Sequence, residues 1–207
     1  MSRRKLAILA MSVLAAVLIG ARIYQVNAEA QPIVAQHYSM GEWVELKGSF
    51  LNTSSESTDG YSVKVKSARL VSYNEYIAEF GLDKSKAMEG FDKKSLINIE
   101  WEIRNIGNAD GGVLVFECKL IPSRKNMYYI PSLSLWQESE RFVGEYSFGV
   151  SIATDSTYTT NIPYKVNILD PVNYTEFINP ISADDTSFEL IVCNAPVRKV
   201  IDVTLTP

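Results

Sequence analysis

The sequence predicts an all-β fold, a β-sandwich with one or two short capping helices, preceded by a single N-terminal transmembrane helix. Two patterns carry this prediction. Short runs of alternating or β-branched apolar residues, about seven to nine of them, recur with turn residues between them. One long uncharged apolar run stands at the N-terminus. Strands at such short spacing favour a sandwich over an α/β fold, which needs helices between its strands.

The N-terminus has the form of an export signal. Three basic residues, Arg3, Arg4 and Lys5, precede an apolar run from Leu6 to Ala21. A basic flank of this kind stays in the cytoplasm. We therefore expect the rest of the chain to lie outside the cytoplasm. No cysteine follows the run closely, which excludes a lipoprotein-type anchor.

The length of the apolar run helps to distinguish a membrane anchor from a cleaved signal. As a helix, Leu6 to Ala21 spans about 24 Å, which is less than the roughly 30 Å of a hydrocarbon core. Arg22 can snorkel, and counting on to Val26 brings the helix to about 31 Å. Tyr24 then lies at the outer interface, where aromatic hydroxyls are favoured. We expect residues 6–26 to stay in the membrane as an anchor.

Cleavage is the open alternative. Val26-Asn27-Ala28 and Ala28-Glu29-Ala30 both fit the small-residue pattern of a signal peptidase site. Against cleavage, Arg22 lies between the apolar run and either cut. A cleaved chain is secreted, whereas an uncut chain is a single-pass membrane protein. Both interpretations place residues 31–207 outside the cytoplasm.

Net charge and length limit the kinds of partner and the number of domains that the exported part can have. The chain carries a net charge of −4, and residues 1–28 contain four basic residues and no acid, so residues 29–207 carry −8. An acidic domain is a poor match for nucleic acid, and we expect no nucleic-acid partner. After an anchor or signal segment at 1–30 and a linker at 31–40, residues 41–207 suffice for one domain with a core.

Strand patterns follow one another through the domain. The run at 113–121 is the most apolar and is expected at the centre of the sheet. The strand at 61–71 is half-exposed, and its inward residues are Val63, Val65, Ala68 and Leu70. On the strand at 95–107 the apolar face consists of Ile97, Ile99, Trp101 and Ile103. The remaining predicted strands are 41–51, 146–152, 157–166, 187–194 and 199–205, with turns and short strands at 125–136.

The clearest helix signal is "SYNEYIAEFG". Ser72 and Glu75 form a capping box, and Gly81 supplies a left-handed stop. The resulting short helix at 73–80 is expected to lie as a cap on the edge of the sandwich. A second capping box predicts another short helix near 173–176.

Three blocks occur in a recognisable order: "ESTDGYSVKVKSARLVSYNEYIAEFG", "INIEWEIRNIG" and "FELIVCNAPVRKVIDVTL". Together they resemble the uncharacterised immunoglobulin-like (telokin-like) domains of membrane-anchored Gram-positive surface proteins, over most of residues 41–207. The resemblance implies an immunoglobulin-like fold outside the cell and an N-terminal anchor that is often uncleaved. It implies no enzymatic activity.

Catalytic and metal-binding patterns are missing from the sequence. The single histidine, His37, would have to serve any Ser-His-Asp or Cys-His device, and its neighbours give no sign of one. One histidine and two distant cysteines do not suit zinc, and Asp184-Asp185 lacks calcium-loop spacing. Glu100 and Glu102 are expected to be solvated. We expect an exposed linker histidine, no catalytic residue, no metal and no cofactor.

The two cysteines leave a disulfide open. Strand alternation puts Cys118 on the apolar face of its segment, with Leu120. In "FELIVCN", Cys193 falls on the face opposite Phe188 and Leu190, so a regular strand points it away from the core. A disulfide then needs a bulge or a different strand pairing.

Aromatic residues give the only hint of a contact site. Tyr128, Tyr129 and Trp136 cluster in a region of turns. If exposed, they provide a large contact area for a sugar or a peptide at low entropic cost. If buried, they are ordinary core residues. We take them as candidate ligand contacts.

The favoured function is a binding or scaffolding module at the cell surface, anchored by one helix, with an unknown protein, peptide or cell-wall partner. One alternative is an extracytoplasmic hydrolase acting on envelope material. Another is an accessory subunit of a transporter or of an immunity system against antimicrobial peptides. A pocket that holds His37 beside a serine and an aspartate would favour the hydrolase.

Overall fold

The computed structural model describes residues 3–29, 34–83, 95–123, 128–140, 149–167 and 185–206. By its internal contacts the chain divides into two units, Met1–Ile33 and Val34–Pro207. The described helices are α1 (Arg3–Glu29), α2 (Tyr73–Glu79), α3 (Leu133–Ser139) and a 3-10 turn (Val115–Glu117). The described strands are β1 (Ala35–Ser39), β2 (Val44–Glu45), β3 (Tyr61–Ser72), β4 (Ser95–Asn105), β5 (Leu120–Pro122), β6 (Tyr128–Pro131), β7 (Ser156–Asn167), β8 (Ser187–Cys193) and β9 (Arg198–Thr204).

The first unit contains the long helix α1. Its segment Ala10–Ala28, 19 residues with a mean hydropathy of 1.4, is long and apolar enough to cross a membrane. None of that segment is buried, and Met11, Leu18 and Ile23 are each more than half exposed. The predicted N-terminal apolar helix is therefore confirmed. A signal sequence passes the same test of length and composition.

In the second unit all nine described strands belong to one sheet, in the order β1-β9-β8-β5-β6-β7-β4-β3-β2. Among the pairings between these strands, β1–β9 is parallel and the others are antiparallel, and an isolated parallel bridge joins Arg69 on β3 to Thr206. The predicted all-β class is confirmed. An immunoglobulin-like sandwich has two separate sheets. The continuous hydrogen-bonded order does not confirm that finer prediction.

The N-terminal part of this unit links the two ends of the sheet. β1 pairs with β9 at one end, and after a turn β2 pairs with β3 at the other. The Gly41 amide donates to the Val65 carbonyl (2.8 Å), and the Thr206 amide donates to the Ala68 carbonyl (2.9 Å). These bonds bring the end of β9 beside β3, so the sheet is nearly a closed barrel. Closure reduces the number of unpaired backbone groups at the sheet edges.

β1 lies inside the segment 31–40, which the sequence interpretation assigned to a linker. Its residues pair in parallel with β9, with Ala35 opposite Arg198 and Ser39 opposite Asp202. The short polar segment shows no alternation of apolar and polar residues, and hence no local strand signal. Its partner is far away in the sequence and defines the strand.

The apolar face predicted for β4 is confirmed. The structure places β4 between β3 and β7, at the middle of the longest antiparallel ladders. Burial of one such large apolar side chain contributes about 1.5–3 kcal/mol. Four side chains of this face are fully buried, namely Ile97, Ile99, Trp101 and Ile103.

The predicted capping box and stop of α2 are confirmed. Ser72 Oγ accepts a hydrogen bond from the Glu75 amide (3.1 Å), and Glu75 Oε2 accepts one from the Ser72 amide (2.7 Å). At the other end Gly81 has φ +63°, a conformation that favours glycine. The Leu82 amide then reaches back to the Ile77 carbonyl (2.9 Å), which closes the helix as a Schellman motif.

One inward position predicted on β3 is wrong. Val63, Val65 and Ala68 are fully buried, but Leu70 is 38% exposed. The pairing with β4 shifts register after Val65, which explains why the buried position moves from an odd to an even number. Near the end of the strand the other face is also covered, because Val71 packs in the small cluster beneath α2.

The predicted nine-residue strand at 113–121 is also wrong. Its middle forms the 3-10 turn, and only Leu120–Pro122 is a strand. In a 3-10 turn, side chains three positions apart lie on the same side. Val115 and Cys118 are accordingly both fully buried, and the expected alternation through Leu114 and Phe116 is broken.

Two other strand predictions are only partly met. In the segment 41–51 the strand stops after Glu45, because Lys47 and Gly48 have φ +51° and +70° and turn the chain. In the segment 146–152 the described part, 149–152, contributes only an isolated bridge between Val150 and Val113. The helix predicted near 173–176 lies outside the described residues.

A bulge decides the orientation of Cys193. The β8–β9 pairing shifts register between Ile191 and Cys193, so Val192 is the extra residue. The strand is therefore not regular at this point, and the bulge is the alternative under which Cys193 can face the core. Cys193 faces the core and is 1% exposed. The structure holds Cys118 and Cys193 as free, buried thiols.

Candidate functional site

Two of the three predicted aromatic contact residues are core residues. Trp136 on α3 is fully buried, and its Nε1 donates to Thr160 Oγ1 (2.8 Å). Tyr129 is 1% exposed and meets Phe188 edge-on, with ring centroids 5.7 Å apart. Their surroundings therefore leave no face for a ligand to stack on.

Tyr128 is the exception among the three. It is partly exposed on β6, and Lys119 Nζ lies 5.2 Å from its ring centroid. Because side chains alternate along a strand, Tyr128 and Tyr129 point to opposite sides of the sheet. The structure does not bring the three aromatics together as one exposed surface.

The buried indole belongs to a polar network. Thr160 Oγ1 accepts from Trp136 and donates to Glu140 Oε1 (2.9 Å), while the Tyr158 hydroxyl donates to Glu140 Oε2 (3.1 Å). Burial raises the pKa of Tyr158 to about 12. These four side chains are hydrogen-bonded to one another. The network therefore fixes α3 against β7.

His37 is the residue for which the sequence interpretation missed a partner. It lies on β1, and its Nδ1 is 2.8 Å from Asp202 Oδ1 on β9. The two side chains are 45% and 55% exposed. The hydrogen bond to Asp202 raises the pKa of His37, and the charge of Glu189 adds to the rise. The pair spans 165 sequence positions, so no local pattern signals it.

Four outward residues on neighbouring strands lie in one row. Ser39 on β1 is opposite Asp202, Asp202 is opposite Glu189 on β8, and Glu189 is opposite Ile121 on β5. Asp202 and Glu189 are a directly opposed pair of like charges, which is unfavourable in a sheet. Within the described residues, Glu189 has no ion pair with lysine or arginine.

An open cleft of about 500 Å³ lies over this row. We call it the acidic cleft. It combines two carboxylates with hydroxyl groups and a partly exposed isoleucine. Its lining residues are Ile121, Pro122, Ser123, Ser187, Phe188, Glu189, Asp202, Val203 and Thr204.

The outer face of β3 and β4 carries charges in a different arrangement. Lys64 pairs with Glu102, and Lys66 Nζ lies 2.9 Å from Glu100 Oε1. Glu100 and Glu102 are therefore paired rather than simply solvated, with side chains 29% and 19% exposed. The indole of Trp43 lies within 4.5 Å of Lys64 Nζ, measured to the ring centroid. We call this surface the charge ladder.

The two carboxylates of the acidic cleft, Glu189 and Asp202, are the acidic groups next to His37. Among the described residues, no three His, Cys, Asp or Glu side chains are placed to hold a metal ion. The His37–Asp202 pair has the orientation of two members of a triad. In the described part of the chain, His37 has its side-chain hydrogen bond with Asp202 and none with a serine hydroxyl.

Sequence comparison assigns the domain to a family. A family described as a domain of unknown function, DUF5028, matches residues 35–199. The chain belongs to the DUF5028 family. The match begins at the first residue of β1 and includes His37 and Glu189. No curated protein and no solved structure shows significant similarity to the chain. The DUF5028 assignment thus supports β1 as part of the domain and leaves its function open.

Proposed function

We propose that this DUF5028 protein is a membrane-anchored, extracytoplasmic binding or scaffolding module. The observation that carries the proposal is the exposure of α1. Large apolar side chains along Ala10–Ala28 are unburied, and such a surface is stable in a lipid core but not in water. The basic residues Arg3, Arg4 and Lys5 favour a cytoplasmic N-terminus, which puts the β domain on the other side.

Protease protection and intact mass test this topology. Protease added to intact protoplasts should degrade the β domain, and the protein in the membrane fraction should retain α1. A domain that is degraded only after lysis contradicts the extracytoplasmic placement. A chain in the medium that begins at Glu29 or Gln31 shows a cleaved signal instead of an anchor.

The acidic cleft is the surface that we assign to the ligand. Glu189 and Asp202 repel each other across the β8–β9 ladder, so a cationic group that settles between them relieves the repulsion. Ile121 adds apolar contact beside them, and the serine and threonine hydroxyls of the cleft supply further hydrogen bonds. We therefore expect a ligand with a positive charge next to an apolar group, as in a basic peptide.

A charge-matched pair of variants tests the cleft. The probe is a short peptide that alternates lysine and leucine, titrated against the detergent-solubilised full chain. Glu189→Gln with Asp202→Asn should abolish saturable binding. The control Asp110→Asn with Asp155→Asn removes two exposed acids elsewhere and should change the affinity little. Equal weakening of binding by the test variant and by the control assigns the interaction to general charge attraction and contradicts a site in the cleft.

The hydrolase alternative has one observation in its favour, the bond between His37 Nδ1 and Asp202. That bond is the orienting half of a catalytic triad, and Ser123 and Ser187 line the neighbouring cleft. A fluorophosphonate probe separates the alternatives, because it labels activated serines. The binding proposal expects no labelling. Labelling of Ser123 or Ser187 that His37→Ala abolishes would replace it with hydrolysis.

An immunoglobulin-like fold and a Gram-positive surface belong to the same proposal. Their support is the resemblance of three sequence blocks, which correspond to β3 with α2, to β4 and to β8 with β9. A crystal structure with two separable sheets would establish the immunoglobulin type. A sheet closed by hydrogen bonds between β9 and β3 would make the domain a barrel.

A further inference from the structure

The two buried cysteines lie in one apolar core, Cys193 at the end of β8 and Cys118 in the segment that leads into β5. β5 and β8 are antiparallel, with Leu120 opposite Leu190, and the Ile191 amide donates to the Lys119 carbonyl (2.9 Å). Continued by one position, this register places Cys118 opposite Val192. Opposite residues of an antiparallel pair have Cα atoms about 4.5–5.5 Å apart. Cys193 is the residue after Val192, and a disulfide tolerates a Cα separation of up to about 6.8 Å.

The bulge in β8 turns the Cys193 side chain to the core side of the sheet, where its Sγ lies 3.8 Å from the Ser49 carbonyl oxygen. Val192 is the extra residue, and Cys193 pairs with Lys199, whose side chain is also buried. Cys193 therefore faces the same core as Cys118, and both belong to one buried apolar cluster. A regular strand would have pointed Cys193 to the outer face.

We propose that Cys118 and Cys193 form an intramolecular disulfide that joins β8 to the segment leading into β5. This inference rests on the proposed extracytoplasmic position, because the cytoplasm keeps such thiols reduced. The bond would close a long loop that contains β6, α3 and β7. Closing a loop of this length restricts the unfolded chain strongly.

The reaction is thiol–disulfide exchange with an oxidised disulfide as co-reactant. The thiolate of Cys118 attacks one sulfur of the oxidant and releases one reduced thiol, leaving a mixed disulfide. The thiolate of Cys193 then attacks the Cys118 sulfur and releases the second thiol. Two protons leave the cysteines, and the oxidant takes up two electrons.

Burial dictates when this reaction takes place. Cys118 is fully buried, which raises the pKa of its thiol well above the usual value, and nearby Cys193 adds to that rise. Burial also raises the pKa of Cys193 to about 12. In the folded protein both thiols are protonated, and the core shields them from an oxidant. The bond therefore forms during folding, before the core closes.

Refolding of the full chain in detergent tests whether the bond forms, independently of where the protein lies in the cell. Denatured, reduced protein is refolded in glutathione redox buffer and then alkylated in denaturant. We expect no alkylation, an intact mass lower by two hydrogen atoms, and a Cys118–Cys193 peptide within one chain. Cys118→Ser and Cys193→Ser should each leave one alkylatable thiol. Two alkylated cysteines, or a bond between chains, would overturn the proposal.

Two further measurements complete the design. Oxidised glutathione added to the folded, reduced protein should act at least tenfold more slowly than during refolding; an equal rate would overturn the order of events. Protein alkylated directly from its native cells should also resist labelling. If refolding forms the bond but the cellular protein is fully alkylated, the strand geometry is right and the extracytoplasmic placement is wrong.

Discussion

The charge ladder and the acidic cleft are two outer surfaces of the same sheet, and the carboxylates on the first face lysines, whereas those on the second face each other. On the charge ladder, Glu100 and Glu102 each meet a lysine of the neighbouring strand. In the acidic cleft, Glu189 and Asp202 are opposite each other, and within the described part of the chain His37 is the one group that forms an ion pair with either of them. The first arrangement stabilises the fold. The second costs stability, and such a cost is typical of surfaces that bind something.

Alternation alone does not distinguish these two faces. Both appear in the sequence as charged residues between apolar ones, as in "SVKVKS" and "FELIV". What differs is the partner strand, because β3 brings lysines to β4 whereas β9 brings an aspartate to β8. Strand pairing therefore decides which charges are compensated.

Loss of the best-buried pair on the charge ladder should have the largest effect. Lys64→Met keeps an apolar stem beside Trp43 but leaves Glu102, which is 19% exposed, to the more distant Lys66, whose Nζ is 3.9 Å from Glu102 Oε1. The loss of the closer ion-pair partner of a largely buried carboxylate and the loss of a cation–π contact should together lower the free energy of unfolding by about 2 kcal/mol. Urea denaturation measures the change.

The matched control for Lys64 is Lys47→Met. Lys47 pairs with Glu45 at 2.8 Å, but the two side chains are 75% and 55% exposed. Exposed pairs contribute little to stability. The control should leave the urea midpoint unchanged. Equal losses for both variants would show that burial does not set the strength of the charge ladder.

Several local elements of this fold were predictable from the sequence, whereas the features set by long-range strand pairing were not. The capping box of Ser72 and the apolar face of β4 depend on spacings of two to four residues, so the pattern contains them. The partners of His37 and the orientation of Cys193 depend on β9. A bulge or a parallel edge strand leaves no periodic trace.

Loss of the N-terminal cap of α2 measures how much one local interaction contributes to stability. The effects of substitutions on the two outer faces can be compared with that value. Ser72→Ala removes the acceptor for the Glu75 amide. The variant should lose about 1 kcal/mol of stability, the usual effect of losing an N-cap. Thermal or urea unfolding measures it. A change too small to detect would mean that α2 is held by its packing alone.

The same substitution on the two faces should have opposite signs. Glu189→Gln removes one of two opposed carboxylates and should stabilise the domain by about 0.5 kcal/mol at pH 8 and low salt. The gain should shrink as salt screens the repulsion. Glu100→Gln breaks its bond with Lys66 and should destabilise instead. A loss of stability for both variants would remove the contrast between the faces.

The smallest effect concerns the pH dependence of the His37–Asp202 pair. The pKa of His37 is raised in the folded state, with the hydrogen bond to Asp202 as the main cause. Protonated His37 therefore stabilises the fold below its unfolded pKa of about 6.5, and the contribution is lost as the pH rises through the folded pKa.

The stability difference between the wild type and His37→Gln isolates this contribution, because other titrating groups cancel. Both side chains of the pair are about half exposed, so solvent screening should limit the difference to a few tenths of a kcal/mol near pH 6. It should vanish above pH 8, and 0.5 M salt should reduce it. Asp202→Asn should abolish the pH dependence of the difference. If the wild type instead gained stability over His37→Gln as the pH rose, His37 would act as a neutral hydrogen-bond partner, and the acidic cleft would hold two uncompensated carboxylates at every pH.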